Sequence, residues 1–200
     1  MKGFGELRAR SLILLASLGV AGLGLAEPAE KEINFSPPIT KKAVFGTSLS
    51  MLDQERADYA KNLAHYSINM VIEKKGSDES LVMARRLLAV ALHLSPRNRD
   101  ALVVTFQLQK GVLPKKTKKM DYSPEVFSRL LLSRAELLGK QKKEQEKLLA
   151  RCFIELSALI DPHNEDAVYA FQIQNIDHGE LNWTQVTDAV AEEAQADVSE

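Results

Sequence analysis

An all-α fold, a short array of six to seven helices arranged in hairpins, is what this sequence predicts, and three observations carry the prediction. From residue 50 to residue 175 apolar residues recur at steps of three, four and seven, the spacing of one face of an α-helix. No stretch combines the alternating pattern, β-branched enrichment and tight-turn residues that strands require. And ARRLLAVALHLSPRNRDA, Ala84 to Ala101, returns 66 residues later as ARCFIELSALIDPHNEDA, Ala150 to Ala167, with agreement at Ala84/Ala150, Arg85/Arg151, Pro96/Pro162, Asn98/Asn164, Asp100/Asp166 and Ala101/Ala167.

The elements follow in order. Residues 1–26 open with Lys2, Arg8 and Arg10, continue through an apolar run from Ser11 to Ala26 and close on Gly24-Leu25-Ala26. This pattern predicts a cleaved secretory signal peptide. A retained anchor is the alternative, but the run is shorter than the roughly 20 apolar residues that span a bilayer. Residues 27–49 hold three prolines and no sustained period; they read as an extended arm or spacer, with Phe35 and Phe45 able to dock on the body.

A first helix is expected from about Ser50 to Lys75, facing inward with Leu52, Tyr59, Leu63, Tyr66 and Met70, before Gly76-Ser77-Asp78 stops it and caps the next. The second carries Leu81, Ala84, Leu88 and Ala91 on one side and ends at Pro96. Asn98 caps the third, Asp100 suits its positive end, and Ala101, Val104, Thr105 and Leu108 face inward. Gly111, Pro114 and five lysines make Lys110–Lys119 a linker, within a lysine-rich segment 110–121. Ser123-Pro124-Glu125 opens a fourth helix reaching about Leu138. The fifth spans Glu144–Ile160, with Leu148, Leu149, Cys152, Leu156 and Leu159 inward. A sixth runs from Glu165 to about Gln174, and Asn182-Trp183 opens a short capping helix within the acidic tail 176–200.

The spacing Ala84, Leu88, Ala91, Pro96, and its later copy Ala150, Ile154, Ser157, Pro162, resembles the second half of a tetratricopeptide repeat. In that family small residues let helices approach, a large apolar residue fills the groove between them, and proline turns the chain into the next hairpin. The offset of 66 is close to two of the family's periods of about 34 residues. The resemblance covers roughly Tyr59 to Gln174, and the residues that match are packing residues. It implies a stack of hairpins with a concave surface that binds another protein.

Chemistry is not announced. His65, His93, His163 and His178 form no ligand pattern, and there is no nucleophile elbow, phosphate loop or paired cysteine. The acidic loop Asp161-Pro-His163-Asn-Glu165-Asp166 is the best candidate for a cation, but its earlier counterpart Ser95-Pro-Arg97-Asn-Arg99-Asp100 keeps only turn and capping residues. No catalytic residue, metal or cofactor is therefore expected. Cys152, the only cysteine, reads as a buried small hydrophobe.

Charge is segregated: residues 27–151 hold 23 basic and 15 acidic residues, whereas 152–200 hold eleven acidic and no lysine or arginine. Lys115, Lys116, Lys118 and Lys119 form a candidate patch for an anionic partner or for the acidic tail. Nucleic acid is not expected, because interleaved aromatics are absent. Stable membrane insertion after signal cleavage is not expected either.

These readings converge on an exported, non-catalytic protein-interaction module of the bacterial cell envelope. Candidate contacts are Asn62, Asn69, Gln107 and Arg134, with Trp183 either capping the stack or anchoring a partner. Two alternatives remain: a self-assembling envelope subunit oriented by its charge-segregated ends, or the front end of a design more often fused to a catalytic domain.

Overall fold

The computed structural model describes residues 33–46 and 49–190. The expected signal peptide and residues 191–200 of the acidic tail lie outside the described residues. Seven helices are present among them: α1 (Asp53–Glu73), α2 (Asp78–Leu94), α3 (Arg99–Gln109), α4 (Pro124–Gly139), α5 (Glu144–Ile160), α6 (Glu165–His178) and the short α7 (Thr184–Thr187). Two strands of two residues each, β1 (Ile39–Thr40) and β2 (Asp188–Ala189), pair in parallel.

Side-chain caps set most of the helix starts. Ser77, Asn98, Ser123 and Asn164 each accept a hydrogen bond from the backbone N–H three residues on, which satisfies a donor that the first turn leaves open. The 66-residue offset reaches the backbone. Helices α2 and α5 start and stop at positions 66 apart, α3 and α6 start 66 apart, and Asn98 and Asn164 cap in the same way, bonding Ala101 and Ala167. After each proline turn the backbone bonds repeat as well, Asn98 N–H to the Ser95 carbonyl and Asn164 N–H to that of Asp161.

The helices form two groups of three. α1, α2 and α3 pack on one another, as do α4, α5 and α6. Tyr59 of α1 joins the groups, stacking on Phe153 of α5 with centroids 5.4 Å apart and tilting against Phe127 of α4 at 6.1 Å. One apolar core runs through both. A tetratricopeptide array would place a further helix between α3 and α4. Here Gly111, at φ +72°, lets the Val112 N–H close onto the Gln107 carbonyl at 2.8 Å, and residues 112–123 proceed without helix.

Three sequence expectations shift. Leu52 is exposed because it stands at the extended N-cap of α1. Leu159 sits at the edge of the α5 stripe, on a surface cleft beside Tyr66 and Met70. The arm is not a free spacer over its described part. Phe35 and Phe45 are buried, and Phe45 meets the His93 ring edge-on at 5.6 Å. Gln145 Oε1 accepts the Gly46 N–H at 3.0 Å, Glu146 Oε1 accepts the Ser50 N–H at 2.6 Å, and Arg134 donates to the Ser50 carbonyl. The Ser50 hydrogen bond also holds the Glu146 carboxyl below the usual range.

Phe45→Ala is expected to cost about 3–5 kcal/mol of unfolding free energy, as for a large side chain removed from a filled site. Leu52→Ala is expected to stay within about 0.5 kcal/mol, the usual range at an exposed position. Urea denaturation of the two variants measures the contrast; similar losses would mean that the arm does not belong to the core.

Candidate functional site

Between α4, α5 and α6 the surface sinks into an open groove of about 920 Å³. Its apolar lining comes from Leu148 and Ile154 of α5 and Ala170 and Ile173 of α6. Glu136, Glu144, Lys147, Asp177 and His178 supply charge and polarity around them. Gln174 lines the same groove although it is only 5% exposed. Its Nε2 donates to the Arg151 carbonyl at 3.4 Å, whereas its Oε1 finds no partner among the described residues, and neither does Arg151 Nε. Buried polar atoms are ordinarily satisfied; these two lie behind the wall of the apolar trough and are themselves closed to solvent. The nearby Cys152 thiol is fully buried and desolvation pushes its pKa up, far from a reactive thiolate.

The residues singled out from the sequence lie elsewhere, and most are occupied within the chain. Asn62 is buried: its amide donates to the Asp58 carbonyl and to Asp121, and its oxygen accepts the Asp121 N–H at 3.0 Å. Asn69 pairs with both backbone groups of Lys118, at 2.8 and 2.7 Å. Between them, His65 Nδ1 lies 2.9 Å from the Lys119 carbonyl and Nε2 lies 2.8 Å from Asp100. The lysine segment is therefore no loose connector; α1 side chains grip its backbone along two turns. Lys118 pairs with Asp100 at 2.9 Å, while Lys115, Lys116 and Lys119 are exposed. In the described part of the acidic tail 176–200, Asp188 is paired with Arg85 and not with this patch; residues 191–200 of the tail lie outside the described residues.

Arg134 is bound to the Ser50 carbonyl and, at 2.6 Å, to Glu55. Gln107 is half-buried on α3, its carbonyl accepting the Val112 N–H. Trp183 is 8% exposed and its indole N–H donates to Glu155 at 2.8 Å. The Arg86 guanidinium lies over the ring at 5.2 Å and binds the same carboxylate at 2.8 Å. An anchor for a partner must be reachable, and this indole is covered. Next to it, His93 Nε2 donates to the Val186 carbonyl, and burial holds this imidazole's pKa below the usual value. Burial raises the Glu155 pKa.

The acidic loop after α5 uses its groups internally. Asp161 accepts the His163 N–H at 3.1 Å and Asn164 donates to Ser128 at 2.9 Å. Among the described residues no cluster of three histidine, cysteine or acidic side chains is placed to hold a metal ion.

Sequence reasoning missed the groove, although α6 carries its signature. Only Ala167 and Gln174 of this helix are buried, while Tyr169, Ile173 and Ile176 remain exposed. A helix with more apolar residues than its inner face needs has a second face to cover. Comparison with protein-family models, with curated proteins and with solved structures finds no match. Among the described residues no helix is long and apolar enough to cross a membrane.

The Glu155 site generates a pH test. Because its folded-state pKa is raised, this carboxyl favours the folded state most when protonated, and that contribution is lost as pH rises from the ordinary value of 4.5 through the raised one. Glu155→Gln keeps an acceptor for Trp183 and cannot ionise. Its melting temperature relative to the parent is expected to rise between acid and neutral pH; a difference that stays flat or falls would show that burial of the charge is not the dominant effect.

Proposed function

We propose that this chain is an exported, non-catalytic protein-interaction module of the bacterial cell envelope, a tetratricopeptide-like array that presents the α4–α5–α6 groove to a segment of another protein. The observation that carries the reading is the groove itself: apolar residues from two helices form its floor, and Glu136, Glu144, Lys147, Asp177 and His178 line it with charge and polarity. Pockets that take ligands combine an apolar lining with a few placed polar groups. An open trough of this kind suits an extended or helical peptide, whose apolar side chains meet Leu148 and Ile154 while its polar groups meet the charged residues of the lining. Export is supported by the sequence of residues 1–26, and the tetratricopeptide likeness by the spacing of Ala84, Leu88, Ala91 and Pro96 and its second copy. The asparagines of α1 have no part in this reading, since they hold the lysine segment.

The test is affinity capture from the envelope extract of the protein's own organism, at low and high salt, with the parent chain beside Ala170→Glu. That substitution places a charged side chain in the groove lining, and circular dichroism monitors the fold. A stoichiometric protein retained by the parent in high salt and lost by the variant is the expected result. A partner held equally by both would move the binding surface off this groove, and no partner at all would remove the reading.

A further inference from the structure

The outward faces of α3 and α6 are complementary to each other. On α3 and its C-cap, Arg99, Val103, Phe106 and Lys110 follow at steps of four, three and four, so they share one face, and all four are exposed, the Lys110 ammonium lying 5.7 Å from the centroid of the Phe106 ring. On α6, Asp166, Tyr169, Ile173 and Asp177 follow at steps of three, four and four, again sharing a face and again exposed. Each stripe has charges at its two ends and apolar residues between them. The α3 stripe is basic at both ends and the α6 stripe acidic at both. In each the end charges are eleven residues apart, about 16 Å along a helix, so the two stripes match in length whichever way the helices run. The apolar centres are substantial: Phe106 is 61% exposed, Tyr169 69%, and Ile176, beside the α6 stripe, 77%.

We propose that the α3 face of one copy of this chain docks on the α6 face of a second copy. One chain cannot close the contact on itself, because α3 packs on α1 and α2 in the first helical group and α6 on α5 and α4 in the second, with the shared core between the groups. The interface is heterologous: each molecule offers one basic stripe and one acidic stripe, so pairing leaves a free stripe at either end and further copies add head to tail. Exposed apolar residues supply the attraction, and the charges set register and exclude the like pairings α3 on α3 and α6 on α6. A single helix pair makes a small contact, so association requires high protein concentration and weakens as salt screens the end charges. The contact shares Ile173 and Asp177 with the groove but requires no client bound there.

Sedimentation velocity of the purified chain over a range of concentrations, at low and at high salt, tests this with two variants. Phe106→Glu places a like charge against the acidic stripe, and Tyr169→Glu blocks the α6 face; both positions are exposed, so the fold is retained, as circular dichroism checks. The parent is expected to form species that grow with concentration and shrink with salt, and each variant alone to remain a monomer. A mixture of the two is expected to give a dimer that grows no further, because one intact α3 face then meets one intact α6 face and the remaining faces have each lost the aromatic centre to a charged side chain. A parent that is monomeric at all concentrations, association that either variant leaves intact, or a mixture that stays monomeric would each overturn the proposal. Client capture by the groove is read independently, so either idea can fail alone.

Discussion

Helix α1 is buried on nearly every side and yet is rich in polar residues, and the lysine segment satisfies Asn62, His65 and Asn69, while Arg56 Nε and Ser67 Oγ find no partner among the described residues. Arg56, Asn62, His65 and Ser67 are all buried along it. A polar group removed from water without a partner costs on the order of 1–3 kcal/mol, so a helix of this composition needs another element alongside it that supplies backbone hydrogen-bonding groups. Helices α2 and α3 offer few, since their own backbone N–H groups are internally paired. The segment from Lys118 to Asp121 does supply them, because it is not helical: its carbonyls and N–H groups are free to meet Asn62, His65 and Asn69. The interruption by Gly111 and Pro114 is thus more than a missing helix. It exposes the backbone that α1 requires.

That arrangement explains which features were legible in the sequence. Caps and prolines act within a few residues, so Ser77, Asn98, Ser123, Asn164, Pro96 and Pro162 placed the boundaries of α2 to α6 closely; only the end of α6 was misplaced, at Gln174 instead of His178. Contacts between distant segments leave no local pattern. Nothing in the neighbourhood of Asn62 announces Asp121, and nothing around Phe45 announces His93, since each pairing depends on how separate elements stack. The two-residue strands β1 and β2 are too short to show a period of two. The groove was hidden for a related reason. Its walls come from three helices, and only the surplus of apolar residues on α6 pointed toward it.

The two segments matched at an offset of 66 residues share their local backbone features and differ in their surfaces. Cap, proline turn and buried alanine are held in common, Asn98 with Asn164 and Ala101 with Ala167, while the outward positions are free to vary because packing does not constrain them. Arg99 stands where the second group has Glu165, and Val103 where it has Tyr169. Inside, Leu87 is matched by Phe153 and Leu94 by Ile160, all buried, so volume changes but apolar character does not. The segregation of charge along the chain thus falls on outward positions, where packing does not oppose it.

The pairing of β1 with β2 ties Ile39 to Asp188 and Thr40 to Ala189, and Arg85 adds a two-point clasp on Asp188, with nitrogen–oxygen distances of 3.1 and 2.6 Å. This has a kinetic consequence. Bringing such distant segments together carries the loop-closure cost of nearly the whole described chain, so it is favourable only after the helices have already shortened the path between them. A chain that emerges from its N-terminus can assemble α1 to α3 early, while the partner strand of the arm is among the last described residues to appear. The pairing of the arm with β2 is therefore expected to form late in folding, after the helices it rests on.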